Sequence, residues 1–375
     1  MKQPNNVIRF CIILFLYVIC LTVPAQSQST LEVGVWKHIA PADVVMTEQN
    51  HVFCQGMALD PQNPGTIYLC ICAYDVTKGG LYKSINSGMT WRKIGKLDEP
   101  IHIVIDPTNS RHLYCVDGVR GDTLGFWTSL DAGETWAQPE GFVKATEGFV
   151  GTRDLYSISA DPTDFNHILV SFHSPWHGLE GNCGVLESKD GGTSWIVRNP
   201  PAAAARGYGM AVFFLYDPAN HTGNGSTWLL TTQSAGFFRT TDAGSTWQLA
   251  YDKQMTHGGC QIYRTKRGTL YAGGYQYPVR SDDNGASWKQ IKQGLVYSWY
   301  IGICGDGDTL YTGSSNAGEP YFTSSEQDGI AWQPYQHKGT TQNFSAVPFE
   351  MAMDRMNHII YAASWHEGLL ALKVK

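Results

Sequence analysis

Four acidic side chains fall in predicted loops, where they could act on a ligand. They are Asp75, Asp154, Glu319 and Glu350. Cleavage of a glycosidic bond needs two carboxyl groups, one on each side of the bond, and one of them is kept protonated by burial or by a nearby negative charge. The four residues are therefore candidate catalytic residues of a glycoside hydrolase.

A second set of residues suits proton abstraction beside a uronate, the chemistry of a polysaccharide lyase. That reaction needs a His or Tyr base and an Arg that neutralises the uronate carboxylate as negative charge develops. The candidates are His173, Tyr156, Arg153 and Arg206. A lyase is therefore the alternative to a hydrolase.

The same loops are rich in aromatic planes that can stack on sugar rings and in polar groups that can bind hydroxyls. The candidate substrate-binding residues are His51, His102, Arg120, Trp176, His177, His257, Tyr275, Trp299, Trp365 and His366. Binding without catalysis, of a glycan or a protein, is a third possibility. No Cys or His spacing matches a metal site, so we expect neither a metal nor a cofactor.

A repeated phrase indicates which elements position these loops. The phrase [ST]-x-D-x-G-x-[ST]-W occurs at residues 129–136, 188–195, 240–247 and 281–288, with variants at 84–91 and 324–332. A short carboxylate in a hairpin can accept backbone N–H bonds, and the glycine two residues later supplies a positive φ. We therefore predict a structural role for Asp131, Asp190, Asp242 and Asp283.

The repeat period predicts the fold. Successive tryptophans of the phrase lie 41 to 59 residues apart, which is typical of one four-stranded blade. Seven predicted inner strands are followed by only six phrases, and residues 35–39 resemble the strands that follow the phrase. The prediction is an all-β, seven-bladed β-propeller of four-stranded antiparallel blades, with its ring closed by the N-terminal strand.

The phrase resembles the Asp-box, or BNR, repeat of sialidase-like propellers. An apolar strand that ends in Asp-Pro precedes the phrases, as in residues 101–107, and this order is similar to the xyloglucanase and sortilin branch. In xyloglucan-degrading propellers an aspartate follows the second strand of the first blade, and the resemblance implies that role for Asp75. The sequence departs from that family's pattern in two ways. It has Thr77-Lys78 inserted before the glycines, and we expect no second propeller, from which that family takes its second carboxylate.

The repeat also distinguishes the two faces of the predicted propeller. The phrases and the Asp-Pro turns occupy one face. The opposite face, here called the loop face, carries the loops that lead into each first strand and the loops between second and third strands. Function usually lies in such loops on a rigid scaffold, so we predict the site on the loop face.

The N-terminus predicts export. Lys2 and Arg9 precede an apolar run at 10–23 and small residues suited to cleavage, so residues 1–28 are predicted to be a signal peptide and short leader. Residues 29–375 are predicted to be a single Asp-box propeller. We expect a secreted or periplasmic monomer with no membrane span and a carbohydrate partner. The net charge of −6 argues against nucleic acid as a partner.

Overall fold

The computed structural model describes the chain in twelve segments. They are residues 31–45, 51–118, 120–147, 154–172, 184–205, 210–216, 225–255, 260–314, 321–325, 329–335, 348–364 and 367–375. The predicted leader lies outside them. Among the described residues, no helix is long and apolar enough to cross a membrane.

Most of the regular structure in these segments is antiparallel strand. The strands are β1 (Trp36–His38), β2 (Val52–Leu59), β3 (Ile67–Ala73), β4 (Gly80–Ser84), β5 (Arg92–Ile94), β6 (Pro100–Asp106), β7 (Asn109–Asp117), β8 (Gly125–Ser129), β9 (Leu155–Asp161), β10 (Asp164–Phe172), β11 (Gly184–Ser188), β12 (Ile196–Arg198), β13 (Met210–Phe214), β14 (Trp228–Thr232), β15 (Gly236–Thr240), β16 (Gln248–Tyr251), β17 (Ile262–Arg264), β18 (Leu270–Ala272), β19 (Val279–Ser281), β20 (Lys289–Gln290), β21 (Ile303–Gly305), β22 (Thr309–Gly313), β23 (Tyr321–Ser325), β24 (Gln333–Pro334), β25 (Pro348–Asp354), β26 (Ile359–Ser364) and β27 (Gly368–Lys373). The helices are a 3-10 turn at Val76–Lys78, α1 (Glu140–Ala145) and α2 (Ala202–Ala205).

The strands form seven sheets, and each sheet is one blade. Blade 1 is β2 to β5, blade 2 is β6 to β8, blade 3 is β9 to β12, blade 4 is β13 to β16, blade 5 is β17 to β20, blade 6 is β21 to β24, and blade 7 is β25 to β27 with β1. The predicted seven-bladed propeller is confirmed. Blade 2 departs from four full strands, because a single bridge between Thr128 and Ala137 stands where its fourth strand would be.

The second strand of a blade is apolar on both sides because both sides are covered. β3 is buried at every position. Its odd-numbered residues pack in one cluster with Tyr361 of blade 7. Cys70, facing the other way, packs in a cluster with Leu113 and Cys115 of blade 2. Alternate side chains of one strand thus join two neighbouring blades, which is why the strand shows no polar face.

The repeated phrase forms the turn between the third and fourth strands. In the turn of blade 5, Asp283 accepts hydrogen bonds from the Ser287 backbone N–H at 2.9 Å and from its hydroxyl at 2.6 Å. The Trp288 indole donates to the Gly285 carbonyl at 3.2 Å, and Gly285 has a φ of +80°. The hydrogen bonds of this aspartate therefore stay within its own turn.

The N-terminal strand closes the ring. Trp36 pairs with Leu372, and His38 pairs with Leu370. Trp36 is 2% exposed and packs against the last blade in a cluster with both leucines. The first strand of the chain therefore supplies the outer strand of the last blade, as the sequence predicts.

We expect Trp36→Ala to lower the free energy of unfolding by about 3–5 kcal/mol, the usual cost of removing a buried Trp side chain. The measurement is chemical denaturation followed by fluorescence, with Leu249→Ala as control because Leu249 is an exposed apolar residue. A loss no greater than that of the control would contradict closure by this strand.

Candidate functional site

Asp75 lies directly after β3 on the loop face and is held by its own turn. Its carboxylate accepts hydrogen bonds from the Thr77 hydroxyl at 2.7 Å and the Thr77 N–H at 3.3 Å, and lies 3.5 Å from the Lys78 ammonium. Its side chain is 51% exposed. The Thr77 hydrogen bonds, followed by the charge of Lys78, hold the pKa of Asp75 below its ordinary value. An ionised, accessible carboxylate suits a base or an electrostatic stabiliser.

A stack of three side chains stands beside Asp75. The Tyr74 ring lies 4.5 Å from the His51 ring and nearly parallel to it. The Arg120 guanidinium lies 4.3 Å from the centre of the Tyr74 ring, within the range of a cation–π contact. The structure thus brings together two predicted binding residues, His51 and Arg120, around an exposed tyrosine.

Two buried acids that the sequence analysis did not select lie under this stack. Glu99 is fully buried, accepts the Ala73 N–H at 2.6 Å, and lies 3.7 Å from Arg120 Nε. Asp117 accepts the Glu99 N–H at 3.1 Å and the Thr123 hydroxyl at 2.9 Å. Burial raises the pKa of Glu99 to about 7 and raises that of Asp117 well above its ordinary value. The available signal was an acidic residue immediately before the apolar run that starts β6.

Asp154 and Tyr156 lie where blade 2 meets blade 3. Asp154 is buried, and a Cβ on Gly118 would come within 2.4 Å of the Leu155 carbonyl, so the loop after β7 runs directly beside this strand. Burial and the charge of Asp154 raise the pKa of Tyr156, and Arg120 opposes that rise. A tyrosine whose neutral form is favoured is a poor lyase base.

A cavity of about 210 Å³ occupies the centre of the ring, and its lining includes His102, Tyr156 and Glu350. Glu350 accepts the Met57 N–H at 2.7 Å, and burial raises its pKa to about 7. His102 Nδ1 accepts the Ile158 N–H at 3.2 Å, and burial lowers its pKa to about 4. Both side chains therefore bond to the backbone of the next blade, and neutral forms of both are favoured.

The structure does not bring Asp75 and Glu350 together. Glu350 is bonded to Met57, which pairs with Leu69 in the middle of β3. At ~3.3 Å per residue, about 13 Å of strand separates Leu69 from Ala73, and Asp75 lies two residues further on. That separation exceeds the ~9.5 Å limit for a pair of hydrolytic carboxyls.

A second group of aromatic side chains lies on the loops of blades 5 and 6. Tyr275 and Trp299 have ring centres 5.3 Å apart, and Tyr277 and Tyr297 have theirs 5.9 Å apart. Trp299 is 45% exposed and Tyr297 is 63% exposed. Tyr275 and Trp299 are predicted binding residues, Tyr277 lies in the same loop as Tyr275, and Tyr297 is an additional member.

The remaining candidates lie outside the described residues. They are Glu319, Arg153, His173, Arg206, Trp176, His177, His257, Trp365 and His366. The lyase set is therefore represented only by Tyr156. Within the segments that the structure describes, no group of three or more His, Cys, Asp or Glu side chains is arranged to hold a metal ion.

Comparison with known proteins relates the chain to xyloglucanases. No family model matches. Xyloglucanase Xgh74A of Acetivibrio thermocellus is 22% identical over 298 residues, which cover 67% of this chain and 34% of that protein. A xyloglucanase of a Paenibacillus species is 24% identical over 276 residues, which cover 63% of this chain and 26% of that protein. The chain thus spans about a third or less of the length of these relatives.

Solved structures share the fold. A GH74 enzyme of Niastella koreensis superimposes with a TM-score of 0.64 at 16% identity, covering 88% of this chain and 53% of that one. YCF48 from Cyanidioschyzon merolae superimposes with a TM-score of 0.57 at 10% identity, covering 90% of this chain and 98% of that one. At these identities the likeness is one of fold.

We expect Glu350→Gln to flatten the pH dependence of stability. The pKa of Glu350 is raised from about 4.5 to about 7 on folding, so the folded state binds more protons between these values. Its contribution is complete below the unfolded pKa and is lost as pH rises towards 7, on the order of 2 kcal/mol between pH 5 and 8. Gln keeps an oxygen for the Met57 N–H. The lowered pKa of His102 contributes the same pH dependence to wild type and variant, so it cancels in the comparison.

The measurement is denaturant unfolding at pH 5 and pH 8. Glu134→Gln is the control, because Arg92 lowers the pKa of Glu134 and so places its titration below this window. Equal pH dependence in wild type and Glu350→Gln would show that Glu350 is ionised throughout.

Proposed function

We propose that this chain is the glycan-binding and catalytic propeller of a glycoside hydrolase that acts on a neutral polysaccharide of the xyloglucan type. The observation that carries the proposal is the exposed Asp75, with its lowered pKa, beside the stack of His51, Tyr74 and Arg120. Similarity to xyloglucanases supports the substrate class.

The charges around Asp75 favour a neutral glycan over a uronate. Carboxylates cluster there, and the nearby cations are already engaged. Lys78 pairs with Asp75, and Arg120 faces Glu99. Of the described cations, Lys78 and Arg120 beside Asp75 each face an acid, whereas lyase chemistry needs a cation for the uronate carboxylate. This balance supports a hydrolase over the lyase alternative.

The aromatic residues suit a chain of neutral sugars. Pyranose rings stack on aromatic faces through their apolar C–H surfaces, and a group of exposed aromatic side chains suits an interaction surface. Tyr275, Tyr277, Tyr297 and Trp299 form a surface separate from the Tyr74 stack. We propose that both surfaces hold sugar rings of one polysaccharide.

A second candidate function, glycan binding without hydrolysis, is favoured by a different observation. Among the described carboxyl groups, those with a pKa raised towards or above neutrality are Glu99, Asp117 and Glu350. The first two are fully buried, and the third lies in the central cavity. Hydrolysis at Asp75 therefore requires an acid from elsewhere, for which Glu319 is our candidate.

We propose three further properties of the chain. The repeated turns are Asp boxes of the sialidase-like class, because their aspartates bond within the turn. Residues 1–28 direct export to the periplasm or the exterior, because of their charge and apolar run. The protein acts as a monomer, with a carbohydrate as its partner.

We expect Asp75→Asn to reduce release of reducing ends from xyloglucan at least 100-fold, the usual share of an acid–base group. Affinity for the polysaccharide should stay within a few-fold of wild type, because Asn can accept the Thr77 hydrogen bonds. The measurements are a reducing-end assay and isothermal titration calorimetry, with Asp252→Asn as an exposed control.

The same assays on the wild-type protein distinguish the three candidate functions. Binding without product would support the binding module, and absorbance of unsaturated uronates from an acidic polysaccharide would support a lyase. Full hydrolytic activity in Asp75→Asn would remove Asp75 from the catalytic residues.

We expect Trp299→Ala to weaken xyloglucan binding about three- to tenfold, as loss of one ring-stacking contact would. Its unfolding midpoint should match that of wild type, because the side chain is exposed. Leu249→Ala removes an exposed apolar side chain from an outer strand and should leave affinity unchanged. An unchanged dissociation constant for Trp299→Ala would show that this ring does not contact the glycan.

A further inference from the structure

We infer that Glu99 is a positioning residue for the glycan site, because it holds both the backbone before Tyr74 and the guanidinium that stacks on Tyr74. The inference rests on the proposed function only in naming the ligand. The physical claim is that one buried carboxylate fixes the orientation of an exposed platform made of Tyr74 and Arg120.

Glu99 is the point at which two loops of the loop face are joined. Its Oε1 accepts the Ala73 N–H at 2.6 Å, directly before Tyr74. Its backbone carbonyl accepts the Gly118 N–H at 3.2 Å, and its own N–H donates to Asp117 at 3.1 Å. Main chain and side chain of one residue therefore connect the end of β3 with the end of β7.

The second carboxylate oxygen of Glu99 acts on Arg120. Glu99 Oε2 and Arg120 Nε are both buried and lie 3.7 Å apart, and neither has a hydrogen-bond partner among the residues that the structure describes. The Arg120 side chain is 35% exposed, and its guanidinium lies over the Tyr74 ring. Arg120 stabilises the ionised form of Glu99. In that form the buried carboxylate attracts the guanidinium, while part of the Arg120 side chain stays exposed to a ligand.

Other acids hold the backbone of the loop that carries Arg120. Asp98 accepts the Asp122 N–H at 2.8 Å and also bonds the Thr123 hydroxyl. Asp117 accepts the same hydroxyl at 2.9 Å. These bonds fix the backbone on the far side of Arg120, while the Glu99 carboxylate faces its guanidinium.

A purely structural role does not account for this arrangement. Burying an acidic side chain costs free energy, and an apolar residue of similar volume often serves packing as well or better. Here each side-chain oxygen of Glu99 faces a group of the glycan platform or its backbone. That pairing is what a role in positioning requires.

The test compares Glu99→Gln, Glu99→Ala and Arg120→Met in the full chain. Gln keeps an oxygen for Ala73 N–H and loses the charge, so hydrogen–deuterium exchange at residues 73–80 should stay near wild type. Glu99→Ala should speed exchange there. If Glu99→Ala fails to fold, Glu99→Gln still carries the test. Glu134→Gln, a surface ion-pair variant, is the matched control.

Binding of a xyloglucan oligosaccharide gives the second readout. Glu99→Gln and Arg120→Met should each weaken binding about tenfold, the size expected when a charge-assisted contact is lost. The double variant should lose no more than either single one, because both changes remove the same interaction. Independent, additive losses, or full wild-type affinity in Glu99→Gln, would overturn the inference.

The two proposals fail in different ways. If the wild-type chain neither binds nor cleaves xyloglucan, the proposed function fails, and hydrogen exchange alone then decides the inference. Unchanged exchange at residues 73–80 in Glu99→Ala would overturn it. Faster exchange there, with the control unchanged, would support it whatever the ligand.

Discussion

The structure depends on hydrogen bonds to the backbone N–H groups at the unpaired edges of the innermost strands. The first strand of each blade has one edge without a neighbouring strand, and unpaired N–H groups there would be costly. Side chains of other blades accept several of these hydrogens. Glu350 bonds Met57 N–H, His102 bonds Ile158 N–H, Ser157 bonds Val212 N–H, and Gln261 bonds the N–H groups of Ile303 and Met351. These bonds tie blade to blade around the central cavity.

This constraint separates two kinds of polar residue that look alike in the sequence. Glu350 and His102 were candidates for catalysis and substrate binding, yet each accepts a backbone hydrogen bond in the centre of the ring. Their burial favours neutral forms, with a raised pKa for the acid and a lowered pKa for the imidazole. Asp75 lies at the rim in contact with solvent and stays ionised. The buried Glu350 and His102 therefore favour their neutral forms, whereas the exposed Asp75 favours its charged form.

The repeated phrase is enough to predict the architecture of the propeller. The spacing of the tryptophans indicates the number of blades, and the Trp36 strand indicates closure. It does not predict the reduced fourth strand of blade 2. There Pro139 cannot donate to a sheet, and α1 follows with Phe142 buried against Phe126 and Trp195. Glu99 escaped prediction for a related reason, because its role arises from contacts between blades rather than from a motif.

The insertion of Thr77-Lys78 bears directly on the chemistry of Asp75. These two residues belong to the 3-10 turn Val76–Lys78 that Asp75 caps, and they supply the hydroxyl, the N–H and the ammonium around its carboxylate. Each of these groups stabilises the ionised form. The two inserted residues therefore stabilise the ionised form of Asp75. A residue held in this way can take a proton or stabilise a positive charge on a sugar. In the proposed hydrolysis, the group that gives a proton must be a different one.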